Sequence, residues 1–174
     1  NREELISYDA CKEGLDKFTE KHGDSTVKLS ECFESNTLDD VFWLLEELDS
    51  RELLGDSQLK DLRLYAADCA ENVLHIFEKE YPNDNRPRLA IRATRDFANE
   101  LIDEAALIAA CCAASDAACS ATRDAAWSAA WSAARAATRD AAWSAAWSAA
   151  RPATRDGQSK RLKDLFVYWE QDDE

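Results

Sequence analysis

The sequence predicts an all-α protein, and three observations carry that prediction. No stretch alternates apolar and polar residues with period two over several positions. Apolar residues recur instead at helical spacing, most clearly in SQLKDLRLYAADCAENVLHIFEKEY, residues 57–81. Third, residues 122–153 hold a 16-residue unit written twice, TRDAAWSAAWSAARAA and then TRDAAWSAAWSAARPA, with Ala136 replaced by Pro152 as the one change. Alanine has the highest helix propensity, so each unit should be helical. The expected architecture is a single multi-helix bundle over 1–174. Within it lie an acidic helical half (1–98), alanine- and tryptophan-rich repeats (99–157), and a C-terminal helix with an acidic tail (158–174).

Taken in order, residues 4–22 form a helix with Leu5, Ala10, Leu15 and Phe18 on a loose apolar stripe, and Gly23 stops it. Ser25 is placed to cap a short helix over 26–35. Asn36 and Thr37 make the next turn and cap, ahead of helix 38–49 with its run VFWLL. Gly55 and Asp56 break the chain before Ser57 opens the next helix. There Leu62, Tyr65, Ala66, Cys69, Val73, Ile76 and Phe77 share one face, opposite Asp61, Asp68, Glu71 and His75. PNDNRP at 82–87 is a loop by composition, and Pro87 opens helix 87–98. A weak break near Asn99–Asp103 leads to helices at 104–121, 122–136 and 139–151. SKRLKDLFVYWEQ forms a last amphipathic helix.

The repeat period constrains how the two units are joined. Sixteen residues leave a helix roughly 160° beyond whole turns. On one straight helix the row Trp127, Trp131 and Arg135 would therefore point almost opposite to the row Trp143, Trp147 and Arg151. Either one long helix runs through a bundle, apolar on both sides, or the chain breaks near 135–139. Pro152 in the place of Ala136, and Thr138 as an N-cap, favour the break.

Charge is unevenly distributed. Residues 1–85 hold 9 Lys+Arg against 22 Asp+Glu, and residues 86–174 hold 12 against 13. An acidic half argues against duplex nucleic acid as a partner, because that affinity comes from Lys and Arg. It suits solubility or a basic protein partner. Six irregularly spaced cysteines in apolar helical context, with no secretory signal, point to reduced, buried thiols in a cytoplasmic protein. The alanine-rich part is interrupted by Asp, Arg and Ser and should not span a membrane. The first residue is Asn, so the natural start need not be here.

No phosphate loop, dinucleotide fingerprint or zinc signature is present, and no cofactor, metal or catalytic set is expected. Asp68 and His75 lie two turns apart and are better read as a polar face than as metal ligands. Cys69 and His75 point to different sides, which disfavours a cysteine nucleophile. Cys111–Cys112 is expected to be core packing. The tryptophan rows admit three roles: filling grooves against alanine surfaces of neighbouring helices, a partner interface, or a ligand site in which Trp and Arg hold an anionic small molecule.

Four blocks resemble a known family: ACKEGLDKF at 10–18, LDDVFWLL at 38–45, DLRLYAADCAENVLHIFEKEYPNDNRPRLAI at 61–91, and the alanine-rich repeats. Together they are similar to the immunity protein five family of bacterial polymorphic toxin systems, also carried by phage. The most specific block places Asp61, Arg63, Asp68, Cys69, Pro82, Arg86, Pro87 and Arg88 on the family pattern. The sequence departs from that pattern in having TRD where relatives often have Gly-Asp between repeat units. The resemblance implies a helical, non-enzymatic protein that binds and neutralises a protein toxin. Asp39, Asp40, Glu46 and Glu47 around Trp43 would then face a basic toxin surface. The alternative is a protein that sequesters a nucleotide-type ligand through Trp127, Trp131, Arg135, Trp143, Trp147 and Arg151. Homo-oligomers are compatible with either.

Overall fold

The computed structural model describes the backbone of residues 1–120 and 152–172, and the side chains of 1–117 and 157–171. Among the described residues every regular element is helical. In chain order they are α1 (Arg2–Ser7), α2 (Lys12–His22), a 3-10 segment (Leu29–Glu34), α3 (Leu38–Ser50), α4 (Asp56–Glu80), α5 (Arg86–Ala98), α6 (Glu104–Ser120) and α7 (Pro152–Asp172). The expected all-α multi-helix class holds. The expected helices at 122–136 and 139–151 lie outside the described residues. The chain divides into two compact units, one of Asn1–Leu54 with Arg155–Glu174 and one of Gly55–Thr154.

In the first unit α3 buries Leu38, Val41, Phe42 and Leu45, an i, i+3, i+4, i+7 stripe. Thr37 caps its start. The Thr37 hydroxyl oxygen accepts from the Asp40 N–H, and the Asp40 carboxylate accepts from the Thr37 N–H at 2.9 Å. Gly14 is buried in α2, where a Cβ would lie 3.3 Å from Asp40 Oδ1 and 3.4 Å from Cys11 Sγ. Its missing side chain lets these groups approach closely. α7 buries Gln158, Leu162, Phe166 and Trp169. Phe166 meets Phe33 with ring centroids 5.8 Å apart, and Glu170 accepts from both the N–H and the hydroxyl of Ser30, at 2.9 and 2.7 Å.

The second unit is built on small residues. Ala66, Ala67, Ala70 and Leu74 of α4 cluster with Ile91 of α5, and Ala90 of α5 packs on Ala114 of α6 with Ala110 and Cys111 alongside. Adjacent residues of α5 thus serve two neighbours, as about 100° per residue requires. Alanine surfaces allow helix axes to come close. Ala67, Ala70 and Leu74 belong to the buried face of α4 in addition to the expected set, and Ile76 is only partly buried.

Four expectations are corrected. Residues 4–22 are two helices, because Asp9 adopts φ 61°, ending α1, and Cys11 restarts the chain with its Sγ accepting from the Gly14 N–H. Residues 26–35 hold a 3-10 turn that begins at Leu29 rather than a helix capped by Ser25. Glu31 reaches back to the Lys28 N–H at 2.7 Å. The last helix begins at Pro152, not near 158, since proline suits a first helical position whose N–H has no intrahelical partner. Cys11, Cys32 and Cys112 are free thiols, but Cys11 and Cys112 are exposed; Cys111 is half-buried and packs beside the Ala90–Ala114 contact. Burial pushes the Cys32 thiol up to about 11, which keeps it protonated and unreactive at neutral pH.

Three helices end in one pattern. After α1, α3 and α5 a residue with left-handed φ follows the cap: Asp9, Glu52 and Glu100. The next N–H reaches back five residues, Ala10 to Leu5, Leu53 to Leu48 and Leu101 to Asp96. This is the Schellman closure, with an acid where glycine is preferred. A side chain in that conformation costs about 1 kcal/mol. Glu100→Gly should therefore raise unfolding stability by about 1 kcal/mol, read from the urea midpoint; a lower midpoint would contradict this account of the turn.

Candidate functional site

Two groups of residues singled out by the sequence can be placed. The first comprises Asp61, Arg63, Asp68, Cys69, Arg86 and Arg88. Three of them, Arg63, Asp68 and Arg88, fasten α4 to α5. The Arg63 guanidinium lies over the Phe97 ring, 5.3 Å from its centroid. Arg95 Nη2 donates to Asp68 at 2.7 Å and to Glu71 at 2.6 Å. Arg88 makes a two-point pair with Glu78, both contacts 2.7 Å. Early residues of α4 meet late residues of α5 and the reverse, so the fastenings fix an antiparallel register. Arg86 closes the intervening loop onto Asp84 at 2.9 and 2.6 Å. Two-point Arg–carboxylate geometry adds orientation as well as energy. Cys69 is fully buried and Asp61 is half-buried on α4.

Arg95, Glu71 and Glu78 belong to this arrangement and were not foreseen. Their signal is a complementary pattern: Arg88 and Arg95 recur at i, i+7 on α5, facing acids at 68, 71 and 78 on α4. The Arg95 hydrogen bond holds the Glu71 carboxyl below its ordinary value of 4.5, and Arg86 holds Asp84 below 3.8. For Asp40, partial burial pushes upward, but the Thr37 hydrogen bonds and the Lys17 ammonium outweigh it and the carboxyl ends below 3.8.

A folded-state value below the unfolded one means that the unfolded chain binds more protons in acid. The stability so gained is complete above the ordinary value and is lost as pH falls through the folded one. The urea midpoint should thus be flat above about pH 5 and fall between about pH 4 and 3. Glu71→Gln should make that fall shallower. A midpoint that rises on acidification would contradict the pairing.

The second group is on α3. Asp39, Trp43, Glu46 and Ser50 follow one another at i, i+4, i+7, i+11, on a row that flanks the buried stripe. Glu46 is exposed, and Asp39, Trp43 and Glu47 are half-buried. Trp43 thus has carboxylates one turn before and one turn after it. Glu47 pairs with Arg51 at 3.2 Å, and Asp40 is engaged by Thr37 and by Lys17 at 3.7 Å. Asp40 is therefore a cap as much as a surface charge. Between Lys28 and Arg51 the chain has seven carboxylates and no Lys or Arg. Such a face can attract a basic protein surface and offer it one large aromatic contact.

The third group, Trp127, Trp131, Arg135, Trp143, Trp147 and Arg151, lies outside the described residues. No cluster of three or more His, Cys, Asp or Glu suited to a metal occurs among the described residues, and no helix there is long and apolar enough to cross a membrane.

A family model described as "Imm-5 like putative immunity protein" matches residues 52–163. No curated protein and no solved structure matches the chain.

Proposed function

The chain belongs to the Imm-5-like immunity protein family, and from that premise we propose that it neutralises a protein toxin by binding it, without catalysis. The observation that carries the reading is where the charge lies. Residues 52–163 hold 15 Lys+Arg against 16 Asp+Glu; the rest of the chain holds 6 against 19, together the 21 and 35 of the whole. The acid excess is concentrated outside the matched region, and α3 presents part of it around Trp43. Oppositely charged surfaces raise the rate of encounter and set orientation, which suits a protein that must intercept a toxin quickly.

The test is protection. The toxin that co-purifies with the chain from its native host is expressed in a heterologous bacterium with and without it. Growth restored by stoichiometric, tight complex formation is expected. Growth restored with no complex, at amounts far below the toxin's, would point to catalysis and overturn the proposal.

A further inference from the structure

We infer that partner choice resides in the segments flanking the matched region, residues 1–51 and 164–174, and that the matched region is a frame shared across the family. The inference rests on the toxin-binding reading above.

The frame is visible in how the pattern residues are used. Asp68 and Arg88 are spent on pairs across α4 and α5, Arg86 on its own loop, Arg63 on Phe97, and Cys69 is fully buried. Groups engaged in this way set the register of two helices. To serve a partner they would have to leave those pairs, and a two-point Arg–carboxylate contact such as Arg88–Glu78 holds its side chains in one orientation. The boundary agrees: the match begins at residue 52 and the second compact unit at Gly55. The match therefore starts close to where a structural unit starts and runs on to residue 163 within α7; the rest of the first unit lies outside it, although its blocks at 10–18 and 38–45 resemble the family.

The flanks differ in chemistry. They carry a net −13 against −1 for residues 52–163, so the partner they fit is a basic protein surface. A shared frame with chemically distinct flanks lets one architecture serve different partners, since specificity needs only a difference in the contacting surface.

The experiment exchanges flanks between this chain and a second family member, each paired with the toxin it neutralises. Four full-length proteins, two parents and two chimeras, are tested for protection against both toxins. Protection should follow the flanks, with survival differing by about tenfold or more between the two toxins. Protection that follows residues 52–163, or that needs both parts from one parent in chimeras with parental circular dichroism and melting, overturns the inference. A parent that fails against its own toxin removes the toxin-binding reading and this inference with it. Should a chimera fail to fold, point variants replace it. Glu46→Lys should weaken toxin binding by about tenfold or more, and Glu100→Lys, at another exposed position, should change it less than about twofold. Equal losses, or the reverse order, overturn it.

Discussion

Phe77→Ala should lower unfolding stability by about 3–5 kcal/mol. The ring is 1% exposed and stacks on Tyr81 with centroids 5.0 Å apart. It sits near the end of α4, on the face that also buries Val73 and Leu74. Removing it forfeits the transfer free energy of the ring and leaves a cavity that alanine-lined helices, with few long side chains to swing in, cannot refill. Domains of this size are stable by only about 5–15 kcal/mol, so the loss is a large share of the total. Leu101→Ala is the internal control: that side chain is 71% exposed, and its loss should stay within about 0.5 kcal/mol. Urea unfolding of both, beside the parent, gives the comparison. A Phe77→Ala loss near that of Leu101→Ala would contradict the packing described for α4.

Trp127→Ala and Trp143→Ala carry the second large expectation. If the tryptophan rows fill grooves against alanine surfaces, each should cost about 3–5 kcal/mol. If they are displayed to a partner or ligand, each should cost less than about 1 kcal/mol and abolish binding. The two tryptophans are equivalent positions of one 16-residue unit. In a stacked array both should suffer alike, whereas a single exposed site should make one copy sensitive and the other silent. Both are expected to be destabilised, as helical modules copied in tandem reuse one interface. Two variants as stable as the parent would move the ligand-binding role ahead of packing.

What the sequence made legible follows from which signals are local. The α3 start was legible because Thr37 and Asp40 stand at capping-box spacing just before an apolar run. The buried face of α4 was legible because Leu62, Tyr65, Cys69, Val73 and Phe77 keep a 3.6-residue period. The division of residues 4–22 was not. Its turn depends on Asp9 taking a left-handed φ that sequence reasoning reserves for glycine. The start of α7 was missed because TRDGQSK looks like a loop. Gly157 nevertheless sits within the helix, where glycine costs about 1 kcal/mol relative to alanine and does not forbid it.

The candidate site divides in the same way. That Asp39, Trp43 and Glu46 share a face follows from helical periodicity alone. That Asp68 and Arg88 are structural fastenings could not be read locally, since their pairing requires α4 and α5 to be antiparallel neighbours. Arg95, which links two acids of α4, was missed for that reason.

The most direct test of the toxin-binding account is the association rate of the Asp39→Asn, Glu46→Gln double variant with the co-purified toxin, measured at low and at physiological salt. Asp40 is left intact because it caps α3. The account predicts a rate about tenfold below the parent's at low salt, a flatter dependence on ionic strength, and an unchanged melting temperature. A variant that associates at the parent's rate with the parent's salt dependence would contradict it.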